Sequence, residues 1–216
     1  MDGVTLQARI YKGYAIAAKK IGLPYSLYRP LTANAPLGNL INSINAAFSA
    51  TPDYKFSKPN EYGDPVWVAL LDDSTTITGD YVIGNNEMYF IAGKQFLTPV
   101  LAIECNRTVK VIRYLEETAF GAVDYSAEVP SKEVEILGTT GAYWPASILF
   151  GGKSQKGVNL PADTKQAGWR VLLPPSVPVV LQYADIIVDD LGRRYVIEAS
   201  ELTDLGWRIA AVEQHT

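Results

Sequence analysis

The sequence predicts a mainly β protein with one N-terminal α-helix, its strands grouped into small antiparallel barrel or sandwich modules that repeat along the chain. Three observations carry this expectation. Apolar residues recur at helical spacing only within about the first fifty residues. From Val66 onward, short runs rich in Val, Ile, Tyr and Trp alternate with Asp, Asn and Gly turns at roughly the eight-to-twelve-residue spacing of small all-β domains. An Asp–strand–turn–Tyr–strand pattern also occurs twice.

The helix is read first. Leu6, Ile10, Tyr14, Ala17 and Ile21 recur at intervals of three and four, one face of an α-helix. Thr5 can cap its start. Gly22 and Pro24 supply a stop, because glycine accepts a left-handed cap and proline cannot continue the ladder. Arg9, Lys12, Lys19 and Lys20 on the opposite face read as solvated. Residues 24–36 are a Pro- and Tyr-rich connector containing Tyr25, Tyr28 and Arg29. Leu37, Leu40, Ile41, Ile44 and Phe48 again fit helical spacing, but Gly38 and three asparagines oppose it. That segment is either a loose helix or an extended arm. Residues 51–65, with Pro52, Pro59 and Pro65, read as a loop.

The strands follow. Val66–Leu71 is a strand and Asp72-Asp73-Ser74 a turn. Asp80–Ile83, a tight turn at Gly84-Asn85-Asn86, and Met88–Ile91 form a hairpin. Val100–Glu104 and Thr108–Tyr114 are strands, as are Val134–Leu137 and Trp169–Leu173. Ile186–Val188 and Tyr195–Ile197 flank a turn at Asp189–Gly192, and Trp207–Val212 is the last strand. The expected division is an N-terminal helix and arm (1–61), a first β module (62–114), an irregular insertion (115–165) and a second module (166–216). Expected core positions are Leu6, Ile10, Ile21, Trp67, Val82, Phe90, Ile103, Val111, Ile187, Val196 and Ile209.

The repeat pairs Asp80, Tyr89 and Trp67 with Asp185, Tyr195 and Trp169 at similar spacings. It reads either as two related modules or as the unit that any antiparallel barrel reuses.

Chemistry is hard to find. The chain is long enough to build a core without disulfides or a metal. Its net charge of −4, with no run of three basic residues, gives no footprint of a sequence-reading nucleic-acid binder. Cys105 is the only cysteine, which fits a reducing compartment and excludes an intrachain disulfide. No secretory signal or membrane span is expected. His215 is the only histidine and lies at the frayed end, so no histidine triad or metal site is expected. Gly151-Gly152-Lys153-Ser154 lacks the spacing and context of a phosphate loop. The acidic pairs Asp72-Asp73, Glu116-Glu117 and Asp189-Asp190 are adjacent residues, which in a strand point to opposite faces and cannot form a glycosidase dyad. No catalytic residue, cofactor or metal is expected. Thirteen tyrosines and four tryptophans are a bias toward contact surfaces. Trp67, Trp169 and Trp207 fall in strands and read as core. Tyr25, Tyr28, Arg29 and Trp144 fall in loop-like contexts and are the candidate intersubunit residues.

The segment from Tyr183 through Asp185-Ile-Ile-Val-Asp-Asp-Leu-Gly-Arg-Arg-Tyr-Val-Ile to Asp204-Leu-Gly-Trp-Arg resembles the C-terminal part of neck and head–tail joining proteins of tailed bacteriophages. Tyr62–Trp67 through Ile103–Thr108 is similar to proteins encoded beside phage structural genes. The resemblance stops near residue 62. It implies a virion component assembled in the bacterial cytoplasm, a head-closure or adaptor ring of identical copies between portal and tail. Such a ring needs no active site, and an acidic lumen lets DNA slide through during packaging and ejection. Other readings are a baseplate, minor tail or capsid-decoration protein. A more distant one is a cell-wall polysaccharide hydrolase using strand-embedded acids such as Glu104 and Glu198.

Overall fold

A computed structural model describes residues 2–52, 60–61, 63–72, 74–116, 131–151 and 168–214. His215 and most of the Gly151–Ser154 run lie outside the described residues, as do Tyr62, Asp73 and Glu117. Helix α1 (Gly3–Ile21) leads into β1 (Leu23–Tyr28), β2 (Leu40–Ser49), β3 (Val66–Leu71), β4 (Tyr81–Gly84), β5 (Glu87–Gly93) and β6 (Val100–Glu104). These six strands close an antiparallel barrel in the order β1-β2-β3-β6-β5-β4. Then come β7 (Arg107–Glu116), β8 (Ser131–Leu137), β9 (Trp144–Phe150), β10 (Gly168–Leu173), β11 (Ile186–Asp189), β12 (Arg194–Thr203) and β13 (Gly206–Gln214). A second barrel closes in the order β7-β9-β10-β13-β12-β11, with β8 paired to β7 outside the circle.

The two barrels repeat one another down to register. Tyr28 lies opposite Tyr81 as Ile112 lies opposite Ile186. Trp67 lies opposite Ala102 as Trp169 lies opposite Ala211. Leu23 faces Ala46 as Arg107 faces Ala146. A bulge between Ile91 and Gly93 recurs between Ile197 and Ala199. Register is specified by which side chains must face the core, so matching pairs and a matching bulge mark one structural unit used twice. The expected equivalence of Asp80, Tyr89 and Trp67 with Asp185, Tyr195 and Trp169 is therefore structural.

The expected arm and insertion each contribute strands to a barrel. The 24–36 connector begins with β1, and the 37–48 segment is strand β2. Hydrogen bonding to β1 on one edge and β3 on the other overrides the helical spacing of its leucines and isoleucines. β9, from the expected insertion, is the counterpart of β2. Strand pairing thus divides the chain between β6 and β7, and the boundaries at 62, 115 and 166 do not follow it.

Helix α1 sits against β2 and β3 with only Gln7 and Ala18 buried. Leu6 and Ile21, expected in the core, are exposed, and Ile10 is half-buried. The contact stripe instead passes through Gln7, whose Oε1 accepts the backbone N–H of Leu97, in the β5–β6 turn, at 2.6 Å. The N-cap is Asp2, whose carboxylate accepts the Thr5 N–H at 2.8 Å, rather than Thr5. Gly22 ends the helix at φ −85°, not left-handed. Glycine is needed there because a Cβ would stand 2.7 Å from the Ala46 carbonyl oxygen of β2.

Barrel 1 is filled by Leu27, Ala46, Leu71, Val82, Ile91 and their neighbours. A larger core runs through barrel 2 and across the joint, uniting Tyr81, Phe90 and Ile103 with Trp144, Ile187, Ile197 and Ile209. Val82, Phe90, Ile103, Val111, Ile187 and Ile209 are buried as expected. Trp67 is half-buried. Val196 is also only half-buried, because the strand period turns its neighbours Tyr195 and Ile197 inward instead.

Candidate interaction site

The most elaborate polar construction occurs twice. Arg29 Nε and Nη2 donate to Asp80 Oδ1 and Oδ2, both at 2.8 Å. Arg113 Nε and Nη2 donate to Asp185 Oδ1 and Oδ2 at 2.7 and 2.8 Å. Each Nη2 also donates to a carbonyl in the preceding turn, Thr75 or Val180. Each aspartate accepts one further backbone N–H, from Ile77 or Gln182. The residue before each aspartate, Gly79 or Ala184, has positive φ, and its N–H donates to Ile91 or Ile197. Both carboxylates are almost fully buried, whereas each arginine side chain is about a quarter exposed. Hydrogen bonds to the carboxylate raise both guanidinium pKa values further above their ordinary range. These are structural clamps that join an arginine within or just past the first strand of each barrel to the turn before its fourth. Arg29, a candidate interface residue, is committed to one of them.

The other candidates are placed as follows. Tyr25 is in β1, not a loop, and is buried; its hydroxyl donates to Glu87 at 2.6 Å. Burial, with the Glu87 carboxylate second, pushes its pKa well up. Its ring meets Phe48 edge-on, Phe48 stacks on Tyr89 at 3.7 Å, and Trp67 meets Tyr89 edge-on. With Ile21 and Leu23, these rings line an open surface pocket of about 310 Å³. Tyr28 ends β1, half-buried against the shared core. Trp144 is in β9 with no exposed surface. Its Nε1 donates to the Ala33 carbonyl at 2.6 Å, and its ring packs edge-on against Tyr81, whose hydroxyl donates to the Pro145 carbonyl. Trp144 therefore joins the two barrels of one chain. The loop-like context read for Tyr25, Tyr28 and Trp144 is corrected: all three lie in strands, the first two in β1 and the third in β9.

The two acids offered for hydrolysis do not converge. Glu104 in β6 accepts Trp67 Nε1 at 2.8 Å and lines a groove with Asp64, Asn106 and Ser147. Glu198 is exposed in β12 and lines a different groove, beside Glu201 and Arg208. Another groove, of about 640 Å³, lies at the barrel joint between Val66, Leu101, Arg170 and Trp207. Asp72 and Asp189 bind backbone N–H groups of their own turns, at Ser74, Leu191 and Arg193. Cys105 is buried, which pushes its thiol pKa well up and keeps it protonated. Among the described residues, no three His, Cys, Asp or Glu side chains stand together to hold a metal, and no helix is long and apolar enough to cross a membrane.

What the surface does present was not singled out from the sequence. On α1, Val4, Leu6, Ile16 and Ile21 are exposed, next to Leu23. The outer half of β7 pairs only with β8, making a two-stranded ribbon that leaves barrel 2 with Tyr114 and Leu115 exposed. The Tyr114 hydroxyl and Arg194 hold Glu133 of this ribbon below the usual carboxylate range. Comparison with protein-family models, with curated proteins and with solved structures finds no match for this chain.

Proposed function

We propose that this chain is a structural protein of a tailed-bacteriophage particle, a head–tail connector whose copies form a ring joining portal to tail around the DNA passage. The observation that carries this reading is the arrangement of two closed barrels around a shared core, with an exposed apolar helix on one and an extended ribbon on the other. Closed barrels have no free edges, so they resist being remodelled when copies pack together. Arg–Asp clamps at equivalent places in both barrels fix the loops at that end. The buried aspartates Asp80, Asp185 and Asp189 serve these clamps and turns. Exposed apolar residues on projecting elements are the usual material of subunit contacts. The Asp185–Tyr195 hairpin, which carries the resemblance to neck proteins, contains half of the second clamp.

Mass spectrometry of purified particles, followed by immunogold microscopy, tests the proposal. The expected result is label at the junction of head and tail. Label on the baseplate or capsid surface would move the protein to another virion position, and absence from particles would refute the reading. Release of reducing sugars from cell-wall material, lost in Glu104→Gln or Glu198→Gln, would replace it with the hydrolase reading.

A further inference from the structure

When the two barrels are matched strand for strand, the aromatic pocket of barrel 1 has an equivalent place in barrel 2, and the two differ in charge. Tyr89 stands opposite Val82 and Glu104, as Tyr195 stands opposite Ile187 and Glu213. Trp67 meets Tyr89 edge-on, and Trp169 meets Tyr195 in the same way. Two residues before each tyrosine the correspondence breaks: barrel 1 has Glu87 and barrel 2 has Arg193. A hydrogen bond with the Tyr195 side chain, with Glu213 and Asp189 also near, raises the pKa of the Arg193 guanidinium. Barrel 2 thus supplies its own cation at this place. Barrel 1 supplies none. No lysine or arginine lines the pocket, and neither Glu87 nor Glu104 is in an ion pair among the described residues. Each carboxylate is held instead by an uncharged aromatic donor, Glu87 by the Tyr25 hydroxyl at 2.6 Å and Glu104 by Trp67 Nε1 at 2.8 Å. Both negative charges reach Tyr89, whose pKa is raised first by burial and then by them. The pocket also has two rings that barrel 2 lacks. Tyr25 pairs with Ile44 where Val109 pairs with Trp144, and Phe48 pairs with Ala69 where Ile148 pairs with Val171.

We propose that this pocket binds a guanidinium group, which packs against the aromatic rings and donates to the Glu87 carboxylate. The inference goes beyond the reading of the chain as a particle protein and stands without it. Aromatic faces attract a cation through their quadrupole, and a carboxylate accepts the paired N–H groups of a guanidinium. A guanidinium suits the pocket better than a compact ammonium, because it is planar, stacks on rings and is less strongly hydrated. It is also the group that barrel 2 places at the equivalent position, beside the equivalent tyrosine.

Heteronuclear NMR of the tryptophan indole N–H groups, with Nα-acetyl-arginine amide added to the full chain, tests this. The Trp67 signal is expected to shift with a Kd of about a millimolar, in keeping with a ligand of that size, while that of the fully buried Trp144 stays in place. Nα-acetyl-citrulline amide has the same shape without the charge and should bind roughly tenfold more weakly. Glu87→Gln should weaken binding of the arginine compound roughly tenfold, and Glu87→Arg, which copies barrel 2, should abolish it. Glu87 is exposed, and unchanged circular-dichroism melts establish that both variants fold. Equal affinity for the two compounds, a Trp67 signal that does not respond to the arginine compound, or a Glu87→Arg variant that binds like wild type would overturn the proposal. Sedimentation velocity identifies the source of the cation. Self-association reversed both by the arginine compound and by Glu87→Arg assigns it to an arginine of a second copy. Binding in the NMR titration without such self-association assigns it to a separate molecule. Either result supports the site.

Discussion

Replacing Arg113 with Met should cost more stability than replacing Asp185 with Ala, although both break the same ion pair. The difference follows from which partner is left behind. Without Arg113, the Asp185 carboxylate remains almost wholly buried with only the Gln182 N–H to serve it. An uncompensated buried charge costs about 3–5 kcal/mol. Without Asp185, the guanidinium, already about a quarter exposed, can turn toward water and retain the Val180 carbonyl. The loss is then that of charge-assisted hydrogen bonds, about 2 kcal/mol. In a chain of this length each kcal/mol shifts Tm by roughly 2–4 °C. Arg113→Met should therefore lower Tm by roughly 6–20 °C, and Asp185→Ala by about half as much. Arg29→Met and Asp80→Ala should repeat the order in barrel 1, where Ile77 takes the place of Gln182. Differential scanning calorimetry on the four variants measures both differences. Aspartate variants that melt at or below the arginine variants, in either barrel, would refute the reasoning.

Three further outcomes follow from the same structure. Ile197→Asp should unfold the second barrel, at a cost of about 4 kcal/mol or more, while Val196→Asp costs less than half as much; urea titration followed by tryptophan fluorescence separates them, and equal midpoints would contradict the strand phase. Gly79→Ala should cost about 2–3 kcal/mol, because Gly79 has φ +93° and a Cβ would stand 2.6 Å from Ser176 Cβ across the barrel joint. Gly192→Ala, with positive φ but open space around it, should cost only about 1 kcal/mol in the same melt. Burial raises the pKa of Cys105, Tyr81, Tyr89 and Tyr25, so the folded chain keeps protons that the unfolded chain releases. Stability from these groups is intact below pH 9 and falls as pH climbs past the ordinary thiol value of 9.0 and tyrosine value of 10.0. A Tm that holds or rises between pH 9 and 11 would contradict that sign.

Much of the architecture was legible from short-range pattern. The asparagines at 85 and 86 both adopt positive φ, as a tight hairpin turn requires. Asp80 and Asp185, noticed only as a repeated letter, are the buried anchors of equivalent clamps. Their partners were less visible. Arg29 and Arg113 differ in context, one just past the end of its strand and the other within it, and only closure of each barrel brings them to their aspartates. Leu6 and Ile21 misled because helical spacing identifies an apolar stripe without saying which part of it meets the barrel.

By itself, the sequence determined many of the turns, the strands between Val66 and Tyr114 and near the C-terminus, where the N-terminal helix lies, and that a pattern recurs. Those properties depend on φ/ψ preference and on alternation between neighbouring residues. The tertiary structure decided that β1 and β2 belong to a barrel, that Trp144 unites the two barrels, and that the helix and ribbon are left outside the duplicated plan. Such outcomes depend on contacts between residues far apart in sequence, where satisfying backbone hydrogen bonds around a closed circle outweighs the preference of any single segment.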